Sequence, residues 1–278
     1  MALHQVNPAH YVISHLPPIL YTDLRVGSGR VIPTEFTPPS PDDTPQSLFP
    51  HCPKVTATDR VHRFIRLNEE NRSVEDEFLI YTDATCLDNG KANARAGCSF
   101  VYNDSASGWA RFPLEFKGPS GEQYILTVHR AHIRAVIAAL RYKDWTADGF
   151  SRLVIATDSD YLVEGITDLI REWLHSDWVS TSGEPIKNRD LWERLLGEVE
   201  ILEEKGISLQ FWRIPKELNV KADRHAKHAA FMERHQQFTD LAGTSNDSDL
   251  MPCRRQGESA DWDQRKEDEG PVSTRKRK

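Results

Sequence analysis

The sequence predicts an α/β domain over residues 76–231, a five-stranded mixed sheet flanked by helices. Two observations carry that prediction. The apolar runs FLIY (78–81) and LVIA (153–156) are each followed at once by Thr-Asp, and unbroken runs of this length are how strands buried on both faces read. Between and after them, apolar residues recur at helical spacing.

The elements follow in order. Glu77 to Tyr81 forms the first strand; Gly97 to Tyr102 and a weaker stretch near Arg111 to Phe116 form two more, separated by the turn signal NDSASG. A helix begins after Thr127, a suitable N-cap, and carries Ile133, Val136, Ile137 and Leu140 on one face up to about Tyr142. Arg152 to Ala156 is the fourth strand. The next helix is capped by Asp158 or Ser159 and marked by Tyr161, Leu162, Ile166, Leu169 and Ile170. Leu191, Leu195, Val199 and Leu202 mark another. Leu209 to Ile214 is the last strand and Ala222 to Phe231 the closing helix, giving the order βββαβααβα.

The flanks differ in composition. Of 16 prolines, 10 lie in the first 53 residues, so residues 1–70 are expected to be a largely irregular extension, although VHRFIRLNEENRS has the makings of a segment packed on the domain. Residues 240–278 are charge-rich and poor in apolar side chains, which predicts a disordered tail. The four cysteines show neither a paired framework nor zinc-ligand spacing, no run is long enough to span a membrane, and no secretory leader pattern opens the chain. These features predict an intracellular protein, nuclear or cytoplasmic, with the terminal TRKRK pointing towards the nucleus; a monomer without membrane contact is expected. The net charge is −7, and residues 76–231 hold 19 Lys and Arg against 24 Asp and Glu. Bulk electrostatic attraction to nucleic acid is thereby excluded; any such binding rests on a few placed cations, with modest, salt-sensitive affinity.

Asp83 and Asp158 each end a buried strand. If those strands are parallel neighbours, both carboxylates emerge at the carboxyl end of the sheet, where α/β proteins bind ligands, and their mutual repulsion is relieved by divalent cations. The competing reading is that each caps a turn or a helix start. Asp223, at the start of the closing helix, is by itself a first-turn acid favourable to the helix dipole.

Four segments in order, YTDATCLDNG, ATDSDYLVEGI, WVSTSGEPIKNRDLWERL and WRIPKELNVKAD, resemble the type 1 ribonuclease H family, and the last resembles its plant and fungal members. The resemblance implies the ribonuclease H-like fold and a metal-dependent endonuclease that hydrolyses the RNA strand of RNA–DNA hybrids with two Mg²⁺ ions. It implies Asp83, Asp158 and Asp223 as metal ligands and Cys86, Asn89, Thr127, Arg130 and Asn219 as substrate-binding residues. The family's fourth ligand is a Glu in Thr-Asn-x-Arg-Ala-Glu; here TVHRAH places His132 at that position and Val128 at an Asn position. Imidazole is a poor ligand for Mg²⁺ and a better one for Mn²⁺, so a manganese preference is expected. His129 lies near the same face, but the plainer reading is a polar residue beside the cleft. The family's mobile loop His has no counterpart, Pro215 and Lys216 taking its place, and the handle segment LIREWLHSDW lacks the usual lysines, with Trp173 and Trp178 read as packing residues. Alternatives are a catalytically impaired nucleic-acid-binding or interaction module on the same scaffold, or another nuclease of the superfamily, structure-specific or integrase-like.

Overall fold

In the computed structural model, which describes residues 25–55, 60–67 and 73–241, one sheet organises the chain. Its strands are β1 (Thr34–Glu35), β2 (His51–Val55), β3 (Arg60–Leu67), β4 (Ser73–Leu87), β5 (Arg95–Val101), β6 (Trp109–Pro113), β7 (Arg152–Thr157) and β8 (Ser208–Arg213). The helices are α1 (Pro45–Leu48), α2 (Val128–Arg141), α3 (Asp160–Glu164), α4 (Ile170–His175), α5 (Arg189–Glu204) and α6 (Val220–Ala229). Within 76–231 the predicted order βββαβααβα holds. A π-turn at Gly165–Leu169 joins α3 to α4, so the segment after β7 is one continuous helical run.

β4 is the spine. Fifteen residues long, it pairs with β7 in parallel along one edge, while its other edge pairs antiparallel with β3 over its first half and with β5 over its second. β8 lies outside β7, also parallel, and β6 outside β5. Successive residues alternate between faces. Phe78, Ile80, Leu153 and Ile155 therefore enter the core beneath α2 and α5, and Leu79, Tyr81, Val154 and Ala156 the smaller core that Ala222 of α6 helps to cover.

The sheet has eight strands, not five, and the expectation of an irregular extension is corrected for the described residues before 70. β1 adds in parallel to β8, and the β2–β3 pair extends the sheet along β4. Proline density misled because β2 is an outer strand, where Pro53 without its N–H is tolerated. Phe36, Phe49 and Phe64 pack on Trp212, Ile214 and Tyr81, covering the sheet face that α6 leaves open. Arg63 of β3 is 2% exposed and ion-paired with Asp148 at 2.7 Å. At the other end, Asp240 pairs with Arg141 and Leu241 is buried, so ordered packing reaches residue 241. The rest of the predicted tail, TRKRK included, lies outside the described residues. No described helix is long and apolar enough to cross a membrane.

Candidate active site

The condition set by the sequence is met: β4 and β7 are parallel neighbours, in register as far as Tyr81 opposite Ala156. Asp83 and Asp158 each lie two residues further on, so they share a level and a face. Asp83 is only 2% exposed, and its Oδ1 accepts the Ala84 N–H at 2.7 Å. Burial above all, then the charge of Asp158 and, less strongly, that of Asp223, push its carboxyl up to about 8. Without a cation, Asp83 is thus held protonated at neutral pH.

Asn219 links the parts. It is 1% exposed, and its Nδ2 donates to Thr82 O at 3.0 Å and to Asp158 Oδ1 at 3.3 Å. It stands at the N-cap of α6 yet makes no side-chain cap bond, because that side chain is committed to the ends of β4 and β7. The tie sets Asp223, one turn later, beside the sheet end. Asp223 is already partnered: Lys227 Nζ lies 2.6 Å from Oδ2 and Lys216 Nζ 3.5 Å from Oδ1. The Lys227 contact was legible as an i, i+4 pair in the sequence; that of Lys216 depends on how the Pro215–Asn219 loop folds back.

His132 comes from α2, on the other face of the sheet. It is 8% exposed, and its buried Nδ1 has no hydrogen-bond partner. Burial pulls its pKa down to about 4 against the opposing charge of Asp158, so it stands as a neutral imidazole near that aspartate. His129 is turned instead onto the Tyr161 ring, 4.1 Å away, and Tyr161 accepts hydrogen bonds from Asn188 and Trp192.

The residues expected to touch substrate divide. Thr127 caps α2, accepting the Arg130 N–H, and Asn89 Oδ1 accepts the Val128 N–H, so both build the rim at that helix start. Cys86 is half-buried, its Sγ 3.7 Å from Leu126 O. Arg130 does not face the cleft. It is 2% exposed, forked onto Asp190 at 2.8 and 2.5 Å and stacked over Tyr124, which makes it a tie between α2 and α5. In the handle, Trp173 packs on Trp178 and Trp192, as anticipated.

Asp83 and Asp158 thus lie at the carboxyl end of a mixed sheet with Asp223 towards them, and a helix stands on each face, α2 on one and α6 on the other. The family model described as RNase H matches residues 75–231. The chain belongs to the ribonuclease H family. It is 32% identical to ribonuclease HI of Rickettsia conorii over 126 residues, 45% of this chain and 73% of that protein. It is 34% identical to ribonuclease H of Rickettsia massiliae over 121 residues, 44% and 70% of the two chains. To ribonuclease H of Schizosaccharomyces pombe it is 28% identical over 144 residues, 52% of this chain and 48% of the relative, so it spans about half of that protein. The solution structure of the PFV RNase H domain aligns over 56% of this chain and 96% of that domain, with 19% identity and a TM-score of 0.41.

The family generally uses divalent metal ions. Among the described residues, no three His, Cys, Asp or Glu side chains are gathered tightly enough to hold an ion as they stand. The donor chemistry nevertheless fits one between Asp83 and Asp158: a carboxyl held protonated first by burial and then by the charge of Asp158 is what a cation relieves. The fit at Asp223 is poorer, since two ammonium groups already lie against its oxygens.

Proposed function

We propose that this cleft hydrolyses the RNA strand of RNA–DNA hybrids with divalent ions, at a rate curtailed by His132 and with Mn²⁺ preferred to Mg²⁺. The observation that supports it is the parallel register of β4 and β7, which sets Asp83 beside Asp158, with Asn219 bonded to both strand ends. Asp83 with Asp223 would hold one ion, and Asp83 with Asp158, beside which the neutral His132 stands, the other. When bound, such ions lower the pKa of water and offset charge on the leaving oxygen.

The chain's own groups prepare that chemistry. Asn219 fixes Asp158 by a hydrogen bond and spans to β4, so the two carboxylates keep their spacing. The Asn89 and Thr127 contacts build the rim against which a duplex rests. Lys216, 63% exposed and at the mouth, meets an incoming phosphate with a mobile cation. Where the family has a carboxylate, His132 offers only a nitrogen lone pair, which suits Mn²⁺ better than the hard Mg²⁺.

The test is cleavage of a labelled hybrid by the full chain beside Asp83→Asn. Cleavage in Mn²⁺ that disappears in the variant supports the reading; cleavage that survives the substitution belongs to another site and ends it. No cleavage in either ion, with hybrid binding retained, identifies an impaired binding module.

A further inference from the structure

α6 presents two flanks. Asp223 and Lys227 share the one towards the cleft, whereas Lys221, Arg224 and His228, spaced i, i+3 and i+7, run along the other. That second flank meets β6, which pairs only with β5. The register is informative: Asp83 is opposite Ser99, and Ser99 is opposite Arg111. Residues paired in register project from the same face, and strands lie about 4.8 Å apart, so Arg111 stands roughly 10 Å from Asp83 across the sheet. Between them passes α6, held where Ser99 Oγ donates to Ala222 O at 2.7 Å.

Arg111 is fixed there. Its guanidinium lies over the Trp109 ring, 5.1 Å from the centroid, and Trp109 stacks on His225 with centroids 3.9 Å apart and planes 20° from parallel. Its Nη1 is 2.9 Å from His228 Nδ1. An arginine only donates, so Nδ1 accepts and the ring proton of His228 sits on Nε2, at an exposed side chain.

Neither Arg111 nor Arg224 is paired with a carboxylate among the described residues. Arg63, Arg130, Arg134 and Arg141 are by contrast each bound to Asp or Glu, and Arg95 and Arg171 donate to backbone carbonyls. A guanidinium held on an aromatic base without a counter-ion is a preorganised fork for phosphate.

We propose that Arg111, Arg224 and His228 form a phosphate-binding site outside the cleft, which grips the backbone of a bound RNA–DNA hybrid some three base-pair rises from Asp83. The proposal rests on the reading of the cleft as a hybrid-binding site. It accounts for a chain whose handle is acidic keeping hold of a polyanion: the cations have moved from the handle to the α6–β6 edge.

The experiment is fluorescence anisotropy of the full chain with an end-labelled hybrid in EDTA over a range of salt concentrations. The hybrid has about two helical turns, long enough to lie on both the cleft and the proposed site. Arg111→Ala with Arg224→Ala should weaken binding of this hybrid by about tenfold at low salt and flatten its log K against log salt by roughly 1.5 units. Arg111→Lys with Arg224→Lys, which keeps the charges, should keep most of the slope and guards against misreading a folding defect. A slope unchanged in the alanine variant, while wild-type protein binds and cleaves through Asp83, overturns the proposal and leaves the cleft intact. Failure of wild-type protein to bind any hybrid overturns both.

Discussion

Lys227 Nζ lies 2.6 Å from Asp223 Oδ2, so a carboxylate of the candidate metal site is already neutralised by its own helix. Any ion approaching Asp223 must displace that ammonium or share the oxygen with it. Lys227→Met should tighten Mn²⁺ binding, measured by titration calorimetry, by roughly five- to tenfold, given about 1 kcal/mol per unit-charge pair at 4 Å in water. Unchanged affinity would mean that the ion does not use Asp223.

The buried carboxyl of Asp83 has a stability consequence of its own. Its pKa rises from 3.8 to about 8 on folding, so the contribution is fully present below pH 3.8 and lost as pH climbs to 8. In EDTA, Asp83→Asn should therefore melt higher than wild type at pH 8, by roughly 5–10 °C, with the difference closing near pH 4. Thermal unfolding at the two pH values checks it; equal Tm at both contradicts the burial argument.

Arg130 offers a separation of structure from recognition. Forked onto Asp190 and almost wholly buried, it leaves an unpaired buried carboxylate when removed. Arg130→Ala should cost about 3–5 kcal/mol in urea unfolding while leaving KM for hybrid near wild type. A raised KM with unchanged stability would restore it to the substrate.

The segment before residue 70 should behave as part of the domain. Phe49 is fully buried against Phe36 and Trp212, and Gln46 Nε2 donates to Leu218 O at 3.2 Å in the loop leading to Asn219. Phe49→Ala is expected to lower stability by about 3–5 kcal/mol in a single cooperative transition. A loss below about 1 kcal/mol, or two separate transitions, would show the segment to be an appendage.

What the sequence revealed, and what it hid, follows from the range of the interactions. The Thr-Asp endings of two apolar runs placed Asp83 and Asp158 because buried strands and their termini are local signals, and parallel pairing of β4 with β7 needed only the intervening helix. Asp223 and His132 became legible through resemblance, since nothing local distinguishes a first-turn Asp or a helical His from ordinary ones. The β1 to β3 additions escaped because proline density signals irregularity only in strands that need every N–H, and an outer strand does not. The tie of Arg130 to Asp190 was hidden for a related reason: the two are 60 residues apart, and a long-range fork leaves no mark in spacing.

The account depends most on His132, a neutral imidazole at the position where the resemblance implies a carboxylate. The most direct measurement is kcat/KM for hybrid cleavage in Mg²⁺ by wild-type protein and His132→Glu. A restored carboxylate should raise Mg²⁺ activity by about a hundredfold, on the scale of several kcal/mol for the electrostatics of a metal site, and remove the advantage of Mn²⁺. Wild-type activity in Mg²⁺ equal to or above that of the variant would contradict it.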